Sequence, residues 1–130
     1  MSTMNEIQND FSHEIIGAAV EVQRVLGTGL LEQAYSAALA IELAEREIGF
    51  ARDVPLSAAY KGRSLGEVYR AGFVIEQSVI VELRTVDALN DLNRAQVMAA
   101  LRVSGFKLGL LINFNVFPVV KGVHRIVSKP

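Results

Sequence analysis

Apolar residues recur at three- and four-residue steps through the first fifth of the chain: Ile7, Phe11, Ile15, Ala18, Val22 and Val25. That spacing draws one stripe along a helix over about residues 4–26. Gly27-Thr28-Gly29 ends it. A second helix is predicted over about residues 30–48. Leu31, Ala34, Tyr35, Ala38 and Ile41 lie on one side of it, and Leu39 and Leu43 widen that face. Gly49 is its expected C-cap.

After Gly49 the pattern changes. Val54 to Tyr60 reads as a short strand and Lys61-Gly62-Arg63 as a turn. Val68 to Ile75 and Val79 to Val86 are rich in strand formers, and Glu76-Gln77-Ser78 suits a hairpin connection between them. Helical spacing returns over Asp91 to Val103 through Leu92, Ala95, Val97, Ala99 and Leu101, ending near Gly105. Leu108 to Phe114 is a short apolar run suited to a buried strand, and Val123 to Val127 fits a last edge strand. The order is α-α-β-β-β-α-β-β. A strand–helix–strand series near the end implies a right-handed crossover and a parallel pair. The expected fold is α/β, a mixed sheet flanked by helices. With no repeat and no linker, residues 1–130 read as one domain.

Composition narrows this picture only in places. Hydrophobic content of 51% against 21% charged residues excludes wholesale disorder. The mean hydropathy of +0.30 fits a dense core or a homo-oligomer that covers apolar surface. The longest apolar run, Leu108 to Val120, is broken by Asn113, Asn115 and Pro118 and falls short of the roughly 20 residues a membrane span needs. Met1 to Asp10 carries Glu6 and Asp10 and no Lys or Arg, unlike a signal peptide. The absence of Cys removes disulfides and thiolate zinc sites. The expectation is a cytoplasmic protein without a membrane role. Charge is uneven: residues 1–60 carry nine acidic and three basic side chains, and residues 61–130 five acidic and ten basic. The second part has the sign to face a polyanion such as nucleic acid, yet its cations are scattered singly, as on an ordinary solvated surface.

Gly29-Leu30-Leu31-Glu32-Gln33-Ala34-Tyr35 forms a G-x-x-E-x-x-Y string. Tyr60-Lys61-Gly62, Val79-Ile80-Val81-Glu82-Leu83-Arg84, Ala95-Gln96, Leu108 to Phe114 and Gly122 to Ile126 follow in order. Together they resemble the small bacterial GxxExxY proteins of the PD-(D/E)XK nuclease-like superfamily. The resemblance implies a core in which an acidic residue on one strand and the E-x-K of the next hold Mg²⁺ and an attacking water. A helix Glu and a later Gln support that site. On this resemblance Glu32 and Glu82 are the metal positions, and Glu82, Arg84 and Gln96 the catalytic ones. Two residues apart on a strand, Glu82 and Arg84 point to one face, where a carboxylate and a cation can meet one ligand.

The chain departs from the family pattern where the metal should sit. Gly72 stands where the family has Asp, and Arg84 where it has Lys. Glycine offers no side-chain ligand, so Gly72 is a degenerate position. A guanidinium can clamp a phosphate but cannot share a proton with water. Asn93 stands where His is common and Ala100 where an aromatic is common. Each candidate also has a plainer reading. Glu32 suits the first turn of any helix, Glu82 can be half of a structural ion pair with Arg84, Gln96 can be a solvated helix residue, and Tyr35 reads as core. Glu76 shares the strand parity of Gly72 but lies four residues, roughly 13 Å, along the strand. His13 and His124 lack metal-ligand spacing.

The expected function is therefore a nuclease-fold protein with a degenerate metal site, binding Mg²⁺ weakly or not at all. It would serve as a nucleic-acid-binding or assembly module with little hydrolytic activity. The alternatives are an active Mg²⁺-dependent nuclease acting on DNA or RNA and an interaction protein with no nucleic-acid role.

Overall fold

The computed structural model describes residues 10–128. Helices α1 (Ser12–Leu26) and α2 (Glu32–Glu45) precede strands β1 (Phe50–Tyr60), β2 (Arg63–Ile75) and β3 (Val79–Arg84). Helix α3 (Asp91–Ser104), β4 (Leu108–Asn113), a 3-10 turn (Val119–Gly122) and β5 (Val123–Val127) follow. All five strands join one sheet in the order β1-β2-β3-β4-β5. Only β3 and β4 run parallel, joined through α3; the other pairs are antiparallel. The α/β class and the element order are those the pattern predicts. No helix among the described residues is long and apolar enough to cross a membrane.

Strand alternation divides the core into two layers. Val79, Val81 and Leu83 of β3 face α1 and α2, packing with Ile15, Val22, Tyr35, Leu39 and Leu43. Ile80 faces α3, packing with Val97, Ala100 and Leu101. Glu82 and Arg84 share the parity of Ile80, which places them on the α3 face at the C-terminal end of β3.

The helices differ from expectation in which residues they bury. α1 buries Ile15, Ala18, Ala19, Val22 and Gln23 and leaves Val25 exposed, while Ile7 and the predicted first turn lie outside the described residues. α2 buries Tyr35, Leu39 and Leu43 at four-residue steps and exposes Leu31 and Ile41. α3 exposes Leu92, Ala95 and Ala99. A three-or-four spacing fits adjacent rows of a helix almost equally well, and contact with the sheet chooses between them. α2 also ends at Glu45, ahead of Gly49. Glu47 adopts the left-handed φ of 59°. Its N–H donates to Ala44 O (3.0 Å) and the Ile48 N–H to Leu43 O (2.9 Å), closing the helix. Gly49 instead meets Glu76: its N–H donates to Glu76 Oε2 (2.7 Å) and its carbonyl accepts from the Glu76 N–H (2.8 Å).

The first hairpin is longer than the sequence signals. β1 and β2 pair from Phe50↔Ile75 to Tyr60↔Arg63. Lys61 and Gly62, with φ of 51° and 77°, make a two-residue turn whose twist suits the strands. Ser64, Gly66 and Glu67 interrupt the alternation that marks a half-buried strand, so the pattern predicts β2 only from Val68 onward. Conversely, β3 stops at Arg84, before Val86.

Gly109 sets how closely α3 approaches the sheet. It pairs with Ile80, and a Cβ there would lie 2.5 Å from Val97 Cγ1. Val97 is β-branched and fully buried, so it has little room to yield. Gly109→Ala is expected to cost about 1–3 kcal/mol, and Val97→Ala in the same chain to recover part of the loss. Urea denaturation of the double-mutant cycle measures it; strictly additive losses would contradict the contact.

Candidate functional site

The G-x-x-E-x-x-Y string is held together by its tyrosine. Gly27 and Gly29 take positive φ values of 70° and 100° to turn the chain between α1 and α2. The buried Tyr35 hydroxyl donates to Gly27 O (2.7 Å) and accepts from the Leu30 N–H (3.3 Å). Its ring stacks on Phe114, just past β4, with centroids 4.7 Å apart. The start of α2 is thereby fixed beside the C-terminal end of the parallel strands. Glu32, in the first turn, lines an open cleft with Ser36, Arg52, Asp53 and Thr85.

Glu82 is only 6% exposed. Its Oε2 accepts from the Tyr69 hydroxyl (2.7 Å) and from the Gly72 N–H (3.1 Å). Arg84 Nη1 stands 3.8 Å from Oε1 and donates a 2.7 Å bond to Leu83 O. The ion pair expected from the sequence is thus loose, and Tyr69 supplies the short side-chain bond. Nothing in the sequence pointed to Tyr69. It shares strand parity with Ala71 and Phe73, yet Tyr69 and Ala71 pack on the α3 side while Phe73 faces α1 and α2. The alternation breaks between them, at Gly72.

Position 72 faces Glu82. A Cβ on Gly72 would lie 2.8 Å from Glu82 Oε1 and 3.4 Å from Val81 O. Space, not backbone conformation, is what glycine supplies here. Burial is the main influence on the Glu82 carboxyl and raises its pKa; the Tyr69 hydroxyl, the Gly72 N–H and Arg84 act against it, and the charge of Glu32 adds to the rise. Burial, followed by the charge of Glu82, also pushes the Tyr69 phenol up, so it remains a proton donor.

Glu32, Gly72, Glu82 and Arg84 therefore bear on one region. Gln96 is exposed on α3 and, among the described residues, makes no hydrogen bond to Glu32, Glu82 or Arg84. Asn93 has a local role: it closes a capping box with Asn90 at the start of α3. Ala100 is buried against the sheet. Glu76 is held by Gly49 at the far end of β2 and does not approach Glu82. His13 is exposed on α1, and His124 Nδ1 meets Arg94 at 3.0 Å.

Mg²⁺ is held by carboxylate oxygens together with waters. Here position 72 offers none, and one Glu82 oxygen already accepts two hydrogen bonds. Burial favours the protonated carboxyl. Among the described residues, no three His, Cys, Asp or Glu side chains gather closely enough to hold a metal ion. The residues present do not fit the Mg²⁺ site that the resemblance implies.

The electrostatics give a test on stability. A carboxyl whose pKa is raised by folding binds more protons in the native than in the unfolded state, so its contribution is full below the ordinary glutamate value and is lost as pH rises through the folded pKa. Glu82→Gln removes that slope. The difference in stability between wild type and Glu82→Gln should shift against the wild type from about pH 4 upward. Urea midpoints across pH measure it; a pH-independent difference would contradict the buried-carboxyl assignment.

The family model of the PD-(D/E)XK nuclease superfamily matches residues 9–126. No curated protein and no solved structure matches the chain.

Proposed function

Because the chain belongs to the PD-(D/E)XK nuclease superfamily, we propose that it is a GxxExxY-type nucleic-acid-binding protein with little phosphodiester hydrolysis. One observation carries the reading: Gly72 stands against Glu82, where a second carboxylate would be needed, and Tyr69 and the Gly72 N–H engage one of the two Glu82 oxygens. The match over residues 9–126 and the single five-stranded sheet support treating the chain as one domain.

In this reading Glu82 is a retained position whose work is structural, tying β2 to β3 through Tyr69 and Gly72. Arg84 is the phosphate contact: its guanidinium offers a planar fork of donors and is partly open at the end of β3. Glu32 marks the old metal side of the cleft. Gln96 is exposed on α3, where it is free to meet a bound ligand. The protein would bind Mg²⁺ weakly or not at all.

Nucleic-acid affinity should fall steeply with salt, because neutralised phosphates release counterions. Arg84→Gln is expected to weaken binding of wild-type ligands at low salt and to flatten the log–log salt slope by about one. Fluorescence anisotropy across a salt series checks this. Binding by wild type with an unchanged slope in the variant would remove Arg84 from the interface, and no binding by wild type would remove the proposed function.

A further inference from the structure

The far half of the β1–β2 hairpin stands away from the rest of the sheet. β2 pairs with β3 only over Phe73 to Ile75, so Arg63 to Gly72 have β1 as their sole strand neighbour. The base of this ribbon is anchored by Val54, Leu56, Tyr69 and Ala71, which pack against α3. Beyond it, from Ser57 to Val68, every residue except Ala58 is exposed. Tyr60 and Leu65 are 62% and 57% exposed.

We propose that this projecting ribbon is a DNA-binding arm that enters the major groove of double-stranded B-form DNA, an inference that rests on the nucleic-acid reading above. Its charge favours a polyanion. Lys61 and Arg63 flank the tip, and no acidic residue lies between Leu56 and Gly66. Arg24, Arg46, Arg70 and Arg125 each pair with a carboxylate, whereas among the described residues Lys61 and Arg63 do not. The Lys61 ammonium lies over the Tyr60 ring at 5.3 Å, which holds the cation at the tip.

Shape points the same way. Four paired positions beyond Leu56 carry the tip about 13 Å outward at roughly 3.3 Å per residue. A B-form major groove is about 12 Å wide and about 8.5 Å deep and admits a two-stranded ribbon. The deep, narrow major groove of an RNA duplex does not. Pairing of the ribbon with a second copy of the chain is disfavoured by the strand edge itself. β1 carries Pro55, and the register irregularities at Leu56/Ser57 and Ala58/Ala59 leave Val68 and Leu65 of β2 without partners, features that twist both edges and block strand addition.

The test is a charge-neutral tip that keeps its turn. Lys61→Asn creates an Asn-Gly pair, the preferred sequence for a two-residue hairpin turn with left-handed residues, and is combined with Arg63→Ser. Anisotropy with a duplex of about 20 base pairs is followed from about 50 to 200 mM KCl, with melting temperature confirming the fold. The double variant is expected to bind at least about tenfold more weakly at low salt, with a salt slope shallower by about two. Wild-type binding that the variant reproduces would overturn the arm while leaving the nucleic-acid reading in place. Absence of wild-type binding would end both. Equal, ribbon-dependent affinity for duplex RNA, or a dimer that becomes monomeric in the variant, would overturn the groove assignment.

Discussion

The double variant Gly72→Asp, Arg84→Lys is expected to gain a melting temperature that rises with Mg²⁺ or Mn²⁺, while that of the wild type stays flat. Without metal, the variant should be less stable than wild type. The new Cβ would press on Glu82 Oε1 from 2.8 Å, and two neighbouring carboxylates each raise the other's pKa. A divalent cation relieves both problems by taking an oxygen from each side chain. At a metal concentration about a hundredfold above Kd, binding adds about 2.7 kcal/mol to the native state. In a protein of this size that is roughly 10 °C. Gly72→Asp alone leaves a fixed cation at position 84, and Arg84→Lys alone leaves position 72 without an oxygen. Tyr69→Phe added to the pair should strengthen the response, because it releases Glu82 Oε2. A folded double variant with no metal-dependent shift would show that the site differs from a metal-binding one at more than these positions.

Gln23→Leu is expected to destabilise the protein by about 3 kcal/mol or more, although leucine nearly conserves the volume. The buried Gln23 amide donates to Phe114 O (3.1 Å) and Val116 O (2.7 Å), and its carbonyl accepts from the Val119 N–H (2.8 Å). One side chain on α1 thereby satisfies three backbone groups of the turn between β4 and β5. Each group left buried without a partner costs about 1–3 kcal/mol. Urea denaturation measures the loss. A change below about 1 kcal/mol would mean that the turn rearranges or admits water.

The sheet was legible because its central strands announce themselves. Residues 108–113 are all buried, as an uninterrupted apolar run suggests, and Val79, Val81 and Leu83 alternate cleanly with Ile80. The outer part of β2, residues 63–67, was not legible, since a ribbon solvated on both faces has no hydrophobic period. Gln23 escaped for a related reason: a polar residue on an amphipathic helix reads as solvated, and its partners lie 91 to 96 residues away. Gly72 and Arg84 stood out only against the family pattern. What glycine does at position 72 needed coordinates, because the constraint is a distance to a carboxylate on the next strand. The Tyr69–Glu82 bond depends on a break in strand alternation at Gly72, and a strand glycine signals a break without saying which side chains it brings together.

The proposed function requires that the metal site of this nuclease fold be too incomplete for efficient hydrolysis. Its most direct test is cleavage of plasmid and single-stranded substrates by the purified wild type with Mg²⁺ and with Mn²⁺, beside Glu82→Ala. Wild-type cleavage is expected near background and indistinguishable from that of Glu82→Ala. Robust metal-dependent cleavage by wild type, abolished in Glu82→Ala, would contradict it and make the protein an active nuclease with a rearranged ligand set.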